Sequence, residues 1–244
     1  PSVLIRFEQS EIRTQKWIAA NYPSKGVKQV ITVLVVVHVL WNDPVENISD
    51  AQIQSQIDIL NEDFRLMNAD ALDMSHPFYQ YTADSEIEFC LATTDPNGNA
   101  ATGVTRTQSS QTFFTSSNRD DIKSSASGGE DNWDPTKYLN IWSFSADPGW
   151  GIFGFATFPS DLSMSPELDG VAINYTAFGS IGTATAPSDL GRTGTHEVGH
   201  WLNLRHIWGD NQPDCGDDFV SDTEPADEPN FGTPVFPLDP NNPC

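Results

Sequence analysis

The sequence predicts an α/β fold: a largely apolar sheet, a helix backing it, and a second helix that carries the chemistry. Three observations predict it. Val30 to Trp41 is a continuous Val- and Ile-rich run interrupted by Thr32 and His38, the pattern of a strand buried on both faces. Directly after it, Ser49-x-x-Gln52 has the form of a capping box. Ile53, Ile57, Leu60, Phe64 and Met67 then follow at spacings of four and three, the period of a helix laid on a sheet. Short apolar runs bounded by Gly, Pro, Asn and Asp recur after that, until residues 195–206, where three of the five histidines gather.

Each element can be justified in turn. Residues 1–28 read as a separate segment, because Ser10 to Ala20 has helical composition and stops at Asn21-Tyr22-Pro23. Ser24-Lys25-Gly26-Val27-Lys28 has the look of an exposed junction. His38 is expected to be a satisfied core residue, and His76, before Pro77, an exposed one. Glu86 to Leu91 reads as a strand with Cys90 a buried thiol, and Asp95-Pro96-Asn97-Gly98 as a turn. Residues 100–136, rich in Ser, Thr, Gly and Asn, read as surface loops, and Tyr138 to Phe144 as a strand. Gly154 to Pro159 is a short strand. Asp169-Gly170 turns into a core strand, Val171 to Tyr175. Pro187-Ser188-Asp189 opens the histidine helix, with Ser188 as its N-cap.

Bulk properties narrow the class. A chain of 244 residues suits one large domain or a domain with a lobe. A net charge of −22 argues against nucleic-acid partners, which call for clustered Lys and Arg. No run approaches 18 uncharged apolar residues, so no membrane span is expected. Three cysteines are too few for a disulfide scaffold. Cys215 and Cys244 flank an acidic, proline-rich loop and could close it as one bridge, which implies an oxidising compartment. No secretory leader is visible at Pro1, so a processed or engineered form is expected.

The stretch Thr195-His196-Glu197-Val198-Gly199-His200-Trp201-Leu202-Asn203-Leu204-Arg205-His206 organises the rest. His196 and His200 are four residues apart and share one helix face. Two neutral imidazoles there can grip one Zn²⁺, with Glu197 placed to take a proton from an activated water. His206, six residues after His200, reaches the same metal only if the helix ends and the chain turns back near Asn203. Asn is the best non-glycine residue for the left-handed conformation of such an end. A lone His-Glu-x-x-His can be an incidental solvated face, but the third histidine points to a three-histidine zinc site. Structural zinc would fill its fourth position with Cys or His; the nearby thiol is Cys215 alone.

HEVGHWLNLRH is similar to the metzincin motif His-Glu-x-x-His-x-x-Gly-x-x-His, with Asn203 where most metzincins carry Gly. The following IWGD and CGDDFVSDTEP resemble the pappalysin family, and the similarity extends from about Val30 to Cys244 through ITVLVVVHVLWN, EIEFCLATTDPNG, KYLNIW and GFATFPS. The resemblance implies a metzincin-like zincin with a mixed twisted sheet, a backing helix and an active-site helix. It further implies residues 1–28 as a propeptide remnant or N-terminal helical segment, 29–206 as an upper catalytic subdomain, and 207–244 as the start of an incomplete C-terminal lobe. Gly154, Phe155, Ala156 and Thr157 correspond to the edge strand that binds extended substrate. Asp218, Val220 and Thr223, with Asp217 and Asp222 weaker candidates, correspond to a calcium site, which suits the oxygen-rich loop 214–223. The family's methionine turn is not found after His206, since Met67, Met74 and Met164 all precede it.

These features together imply a secreted zinc endopeptidase acting on protein or peptide substrates, with Zn²⁺ as catalytic cofactor and structural Ca²⁺. A preference for basic residues is implied by resemblance alone. Two rivals stand beside it. A gluzincin would take Glu224 as third ligand, which Pro225 and its loop context disfavour. A non-catalytic zinc- and calcium-dependent binding module would have no need of a carboxylate at Glu197.

Overall fold

Strand β1 (Ile31–Trp41) is the axis around which the sheet is built. Its first half pairs in parallel with β2 (Ile87–Leu91) and its second half with β3 (Val104–Gln108), while β4 (Leu139–Phe144) runs parallel along its other side. Beyond β4 come β6 (Val171–Asn174), parallel, and β5 (Gly154–Ala156), antiparallel to β6 at the sheet's end. The sheet is therefore mixed, in the order β2-β1-β4-β6-β5. The computed structural model describes residues 3–21, 29–209 and 215–229. They fall into two compact units, Lys25–Leu202 and Pro1–Ser24 with Asn203–Cys244.

The buried stretch of β1 is shorter than its apolar run. Val35 to Leu40 are buried, whereas Ile31 is 62 % and Leu34 41 % exposed. The reason is topological: residues 31–34 have β2 on one side only, and β4 begins opposite Val35. From Val35 onward the two-residue period splits the strand between two cores. Val35, Val37 and Val39 join Ile141 and Ile173 under the helices; Leu40 joins Trp142, Phe144 and Phe114 on the opposite face.

Helix α2 (Asp50–Phe64) lies on the first of these faces through Ile53, Ile57 and Leu60. Ser49 caps it, its hydroxyl accepting from the Gln52 amide at 3.2 Å. The Gln52 side chain does not close the expected box, because it is spent on residues 175–183. A capping box does form one turn earlier, where Glu46 accepts from the Asp43 amide at 3.0 Å and Asp43 caps residues 44–46. Met67, expected on the helix face, lies beyond its end and is 62 % exposed. Asn61 docks the helix on β2 by exchanging two hydrogen bonds with the Phe89 backbone, at 2.9 and 2.7 Å.

Two further expectations are corrected here. Residues 100–136 contain strand β3 and short 3₁₀ turns at Arg119–Lys123 and Ser125–Ser127. Val-Thr-Arg-Thr-Gln offers one strongly apolar residue, and the strand is fixed by its long-range pairing with β1. Cys90 is exposed: β2 is the outermost strand, and alternation turns Phe89 inward and Cys90 outward. His38 is a satisfied core residue, with Nδ1 2.8 Å from Thr105 Oγ1 and Nε2 3.0 Å from Asn140 Oδ1. Burial pulls its pKa down to about 4, so the ring is neutral.

In the smaller unit, helix α1 spans Val3–Asn21 and a two-residue bridge joins Gly216 to Ala226. The junction expected at Ser24 to Lys28 lies outside the described residues. No helix among the described residues is long and apolar enough to cross a membrane.

Candidate metal centre

Helix α3 (Arg192–Trp201) carries the histidine pair. It starts three residues later than Ser188 as N-cap would place it. Gly191 is the N-cap residue in a left-handed conformation, φ +68°, and Ile59 fills the space a Cβ would take at 2.5 Å. Only glycine combines that backbone with that contact. The first turn is anchored on α2 by Asp63, which accepts from Thr195 Oγ1 at 2.6 Å and pairs with Arg192 Nε at 3.0 Å.

The loop leading into α3 is held by two buried glutamines one turn apart. Gln52 Nε2 donates to the Phe178 carbonyl (2.9 Å) and to Thr183 Oγ1 (2.9 Å), and its Oε1 accepts from the Thr183 amide (3.1 Å). Gln56 donates to the Gly191 carbonyl (3.0 Å) and accepts from the Gly179 amide (2.9 Å). Gly194 is required beside it, since a Cβ there would stand 2.4 Å from the Gln56 amide. At the other end, the Leu202 amide donates to the Val198 and Gly199 carbonyls. Asn203 follows in the left-handed region, φ +79°, so the chain turns where the spacing requires.

That turn brings the three imidazoles together. The Nε2 atoms of His196 and His200 are 3.0 Å apart with rings nearly perpendicular. One ring nitrogen of each of His196, His200 and His206 lies within 4.8 Å of the others. Two nitrogens at ~2.0–2.1 Å from a tetrahedral zinc would stand about 3.3 Å apart, and neutral imidazoles suit that ion, so the donor set fits Zn²⁺. His200 is buried and 5.3 Å (ring centroids) from Phe158; His196 is exposed; His206 stacks on Trp208 at 4.3 Å.

Glu197 is 7 % exposed and packs against the sheet's terminal strand. A Cβ on Gly154 would lie 2.9 Å from Glu197 Cγ and 3.1 Å from its Oε1. The strand thus meets the helix face that carries Glu197. Gly154, Phe155 and Ala156 form β5, and Thr157 continues its pairing by donating its backbone N–H to the Gly170 carbonyl at 3.1 Å. Phe155 faces the opposite side, among Phe144 and Trp142.

The other predicted residues lie in the smaller unit. Asp218 Oδ1 accepts from the Val220 amide (3.0 Å), and the Val220 carbonyl accepts from the Thr223 amide (3.2 Å). Asp222 is exposed. Cys244, predicted partner of Cys215, lies outside the described residues. Sequence reasoning missed Gln52 and Gln56 as clamps, Asp63 as an anchor, and Asp169 and Lys123, both buried. The available signal was weak: two glutamines sharing a helix face with Ile53 and Ile57, and a lysine in a Ser-rich loop.

Comparison with known proteins agrees with this geometry. Residues 122–233 match the peptidase M43 family, described as pregnancy-associated plasma protein-A. The chain is similar to mature mirolysin of Tannerella forsythia in complex with a cleaved peptide, at 47 % identity and TM-score 0.81, over 86 % of this chain and 77 % of that one. It is similar to a mutant promirolysin of the same organism, at 42 % identity and TM-score 0.85, over 97 % and 76 %. An extracellular metalloprotease of Pyricularia oryzae is 30 % identical over 89 % of this chain. The chain spans 65 % of that relative's length, and 34 % of a similar metalloprotease of Coccidioides posadasii. With a metzincin fold, a matching family segment and this identity to mirolysin, the chain belongs to the pappalysin family of metzincin metallopeptidases.

Proposed function

We propose that this chain is the catalytic part of a secreted zinc endopeptidase. The observation that carries the reading is a buried carboxylate, Glu197, on the helix of a three-histidine cluster and pressed against a terminal sheet strand. His196, His200 and His206 would hold the metal through neutral ring nitrogens. When bound, zinc supplies Lewis acidity, which activates water near neutral pH and polarises a peptide carbonyl. Glu197 moves the proton: its carboxylate takes one from the attacking water and delivers it to the leaving amine. The strand Gly154 to Thr157 would bind extended substrate as an added antiparallel strand, fixing the scissile bond beside that carboxylate. The relatives named as extracellular metalloproteases support secretion and peptide substrates.

Two finer assignments belong to the same proposal. Residues 1–28 are the remnant of a propeptide. In support, promirolysin matches 97 % of this chain and mature mirolysin 86 %, a difference of about 27 residues in 244. Asp218, Thr223, Asp222 and the Val220 carbonyl form a calcium site, an all-oxygen set suited to a hard cation. The preference for basic residues rests on family resemblance.

The test is hydrolysis of quenched fluorogenic peptides, with and without chelator, by the wild type and Glu197→Ala. Chelation should abolish cleavage and zinc restore it. Glu197→Ala should bind zinc and cleave at least 10²-fold more slowly. Chelator-resistant cleavage, or an active Glu197→Ala protein, would overturn the reading. Zinc binding by wild type without cleavage would favour the binding module.

A further inference from the structure

Among the buried ionisable side chains with no part in the proton transfer are Asp169 and Lys123, each 3 % exposed. Buried charges are costly unless they are satisfied by hydrogen bonds. The Asp169 carboxylate is shared between two elements. Its Oδ2 accepts from the indole Nε1–H of Trp201 at 3.1 Å, and its Oδ1 lies 3.4 Å from Thr157 Oγ1, whose hydrogen it shares with the Gly170 carbonyl at 3.3 Å. Trp201 is the last residue of α3 and follows His200 directly. Thr157 directly follows β5 and precedes Phe158, whose ring lies against His200.

The backbone on either side of Asp169 is fixed as well. Lys123 Nζ donates to the Leu168 carbonyl at 2.5 Å and to the Gly170 carbonyl at 3.1 Å, and it lies over the rings of Trp142 and Phe155. The Gly170 carbonyl also accepts from the Thr157 amide at 3.1 Å, and the Gly170 amide donates to Thr157 Oγ1 at 2.9 Å. Gly170 has φ +125°, and a Cβ there would stand 2.3 Å from the Asn140 carbonyl oxygen. Asp169 therefore sits on a backbone that cannot easily shift.

We infer that Asp169 is a positioning residue, a buried post that ties the C-terminal end of the histidine helix to the substrate strand. It is a polar tie between those elements, and packing contacts join them as well, Gly154 on Glu197 and Phe158 on His200. The two hydrogen bonds divide its work. The Trp201 bond sets the orientation of the helix that carries Glu197 and His200. The Thr157 bond sets the height of the strand on which substrate would lie. This inference rests on the peptidase reading for its kinetic consequences, but its structural content stands alone.

The test uses the full chain and four variants: Asp169→Ala, Asp169→Asn, Trp201→Phe and Thr157→Val. The Trp201 indole N–H, assigned in ¹⁵N spectra by its loss in Trp201→Phe, should exchange slowly in wild type. In Asp169→Ala it should exchange at least tenfold faster, and in Asp169→Asn, which keeps an acceptor oxygen, near the wild-type rate. In fluorogenic-peptide kinetics at full zinc occupancy, Trp201→Phe should lower kcat about tenfold with KM within twofold. Thr157→Val should raise KM several-fold with kcat little changed, and Asp169→Ala should do both. Adding Trp201→Phe to Asp169→Ala should cost nothing further in kcat. If Asp169→Ala does not fold, the kinetic test is carried by Trp201→Phe, which removes one hydrogen bond of Asp169, and by Thr157→Val, which removes the Thr157 hydroxyl's bonds to both Asp169 and Gly170. Equal indole exchange in wild type and Asp169→Ala, or folded Trp201→Phe and Thr157→Val with wild-type kcat and KM, would overturn the inference. Wild type without chelator-sensitive cleavage would instead sink the peptidase reading, and indole exchange would then decide the post.

Discussion

Gly154→Ala should damage catalysis more than stability. The glycine is not in a left-handed conformation; it is demanded by proximity. An added Cβ would meet Glu197 Cγ at 2.9 Å, Glu197 Oε1 at 3.1 Å and the Ala172 carbonyl at 3.1 Å. Apolar atoms rest at about 3.5–4.0 Å, so one partner must move by roughly 0.5–1 Å. The Ala172 carbonyl belongs to β6, a strand paired on both sides. The Glu197 side chain is the softer of the two and gives way. Overpacking of this kind costs about 1–3 kcal/mol, which a folded domain tolerates. A catalytic group displaced by about 1 Å loses on the order of 10²-fold in rate. The expected result is a folded, zinc-loaded protein with a melting temperature lower by about 2–12 °C and kcat/KM lower by about 10–100-fold. The assays are metal analysis, thermal unfolding and steady-state peptide hydrolysis. A Gly154→Ala protein with full zinc and wild-type kcat would refute the reasoning, since Glu197 would then not be held against the strand.

Three more outcomes are expected. Asn203 is held at φ +79°, so Asn203→Gly should keep zinc affinity and melting temperature, while Asn203→Val should lose about 1–2 kcal/mol and bind zinc more weakly; equal behaviour would place the essential turn elsewhere. Desolvation lowers the Lys123 pKa from 10.5 to about 7. The unfolded chain therefore holds that proton up to pH 10.5 and the folded chain only to about 7, so stability should rise with pH across that window and be lost as pH falls through it. The full effect is at most about 5 kcal/mol, and denaturant unfolding of Lys123→Met should lack that rise; parallel curves for the two proteins would exclude it. Calcium at a hundredfold excess over its Kd should stabilise the fold by about 2.7 kcal/mol, and Asp218→Ala should abolish that response; a melting temperature independent of calcium at fixed ionic strength would remove the site.

The parts of the molecule legible in the sequence were those set by local pattern. The apolar run 30–41, the helix after Ser49 and the runs 87–91, 138–144 and 171–175 became β1, α2, β2, β4 and β6 within a residue or two at most ends. The left-handed turn at Asn203 followed from ligand spacing together with asparagine's tolerance of that conformation. What was not legible depends on distant partners. Strand β3 exists because the second half of β1 has an open side. Helix α3 starts at Gly191 because Ile59 presses on that glycine. Gln52 looked like half a capping box, but its amide reaches 123–131 residues along the chain. Cys90 looked buried until β2 proved to be the outermost strand. Asp169 carries no motif; its role is defined only by Trp201 and Thr157.

The clamp formed by Gln52 and Gln56 has a consequence for the conditions the protein can meet. Carboxamides neither titrate nor carry a charge for salt to screen. The loop 175–191 is thus fastened by groups indifferent to acidity and brine, in a chain whose net charge of −22 makes its surface responsive to both. Acidification or high salt will act on the charged exterior and on the Asp63–Arg192 pair at the first turn of α3, while the glutamine bonds to the loop stay as they are. The loop that leads into the histidine helix is thus fastened by the chemistry that acid and salt disturb least.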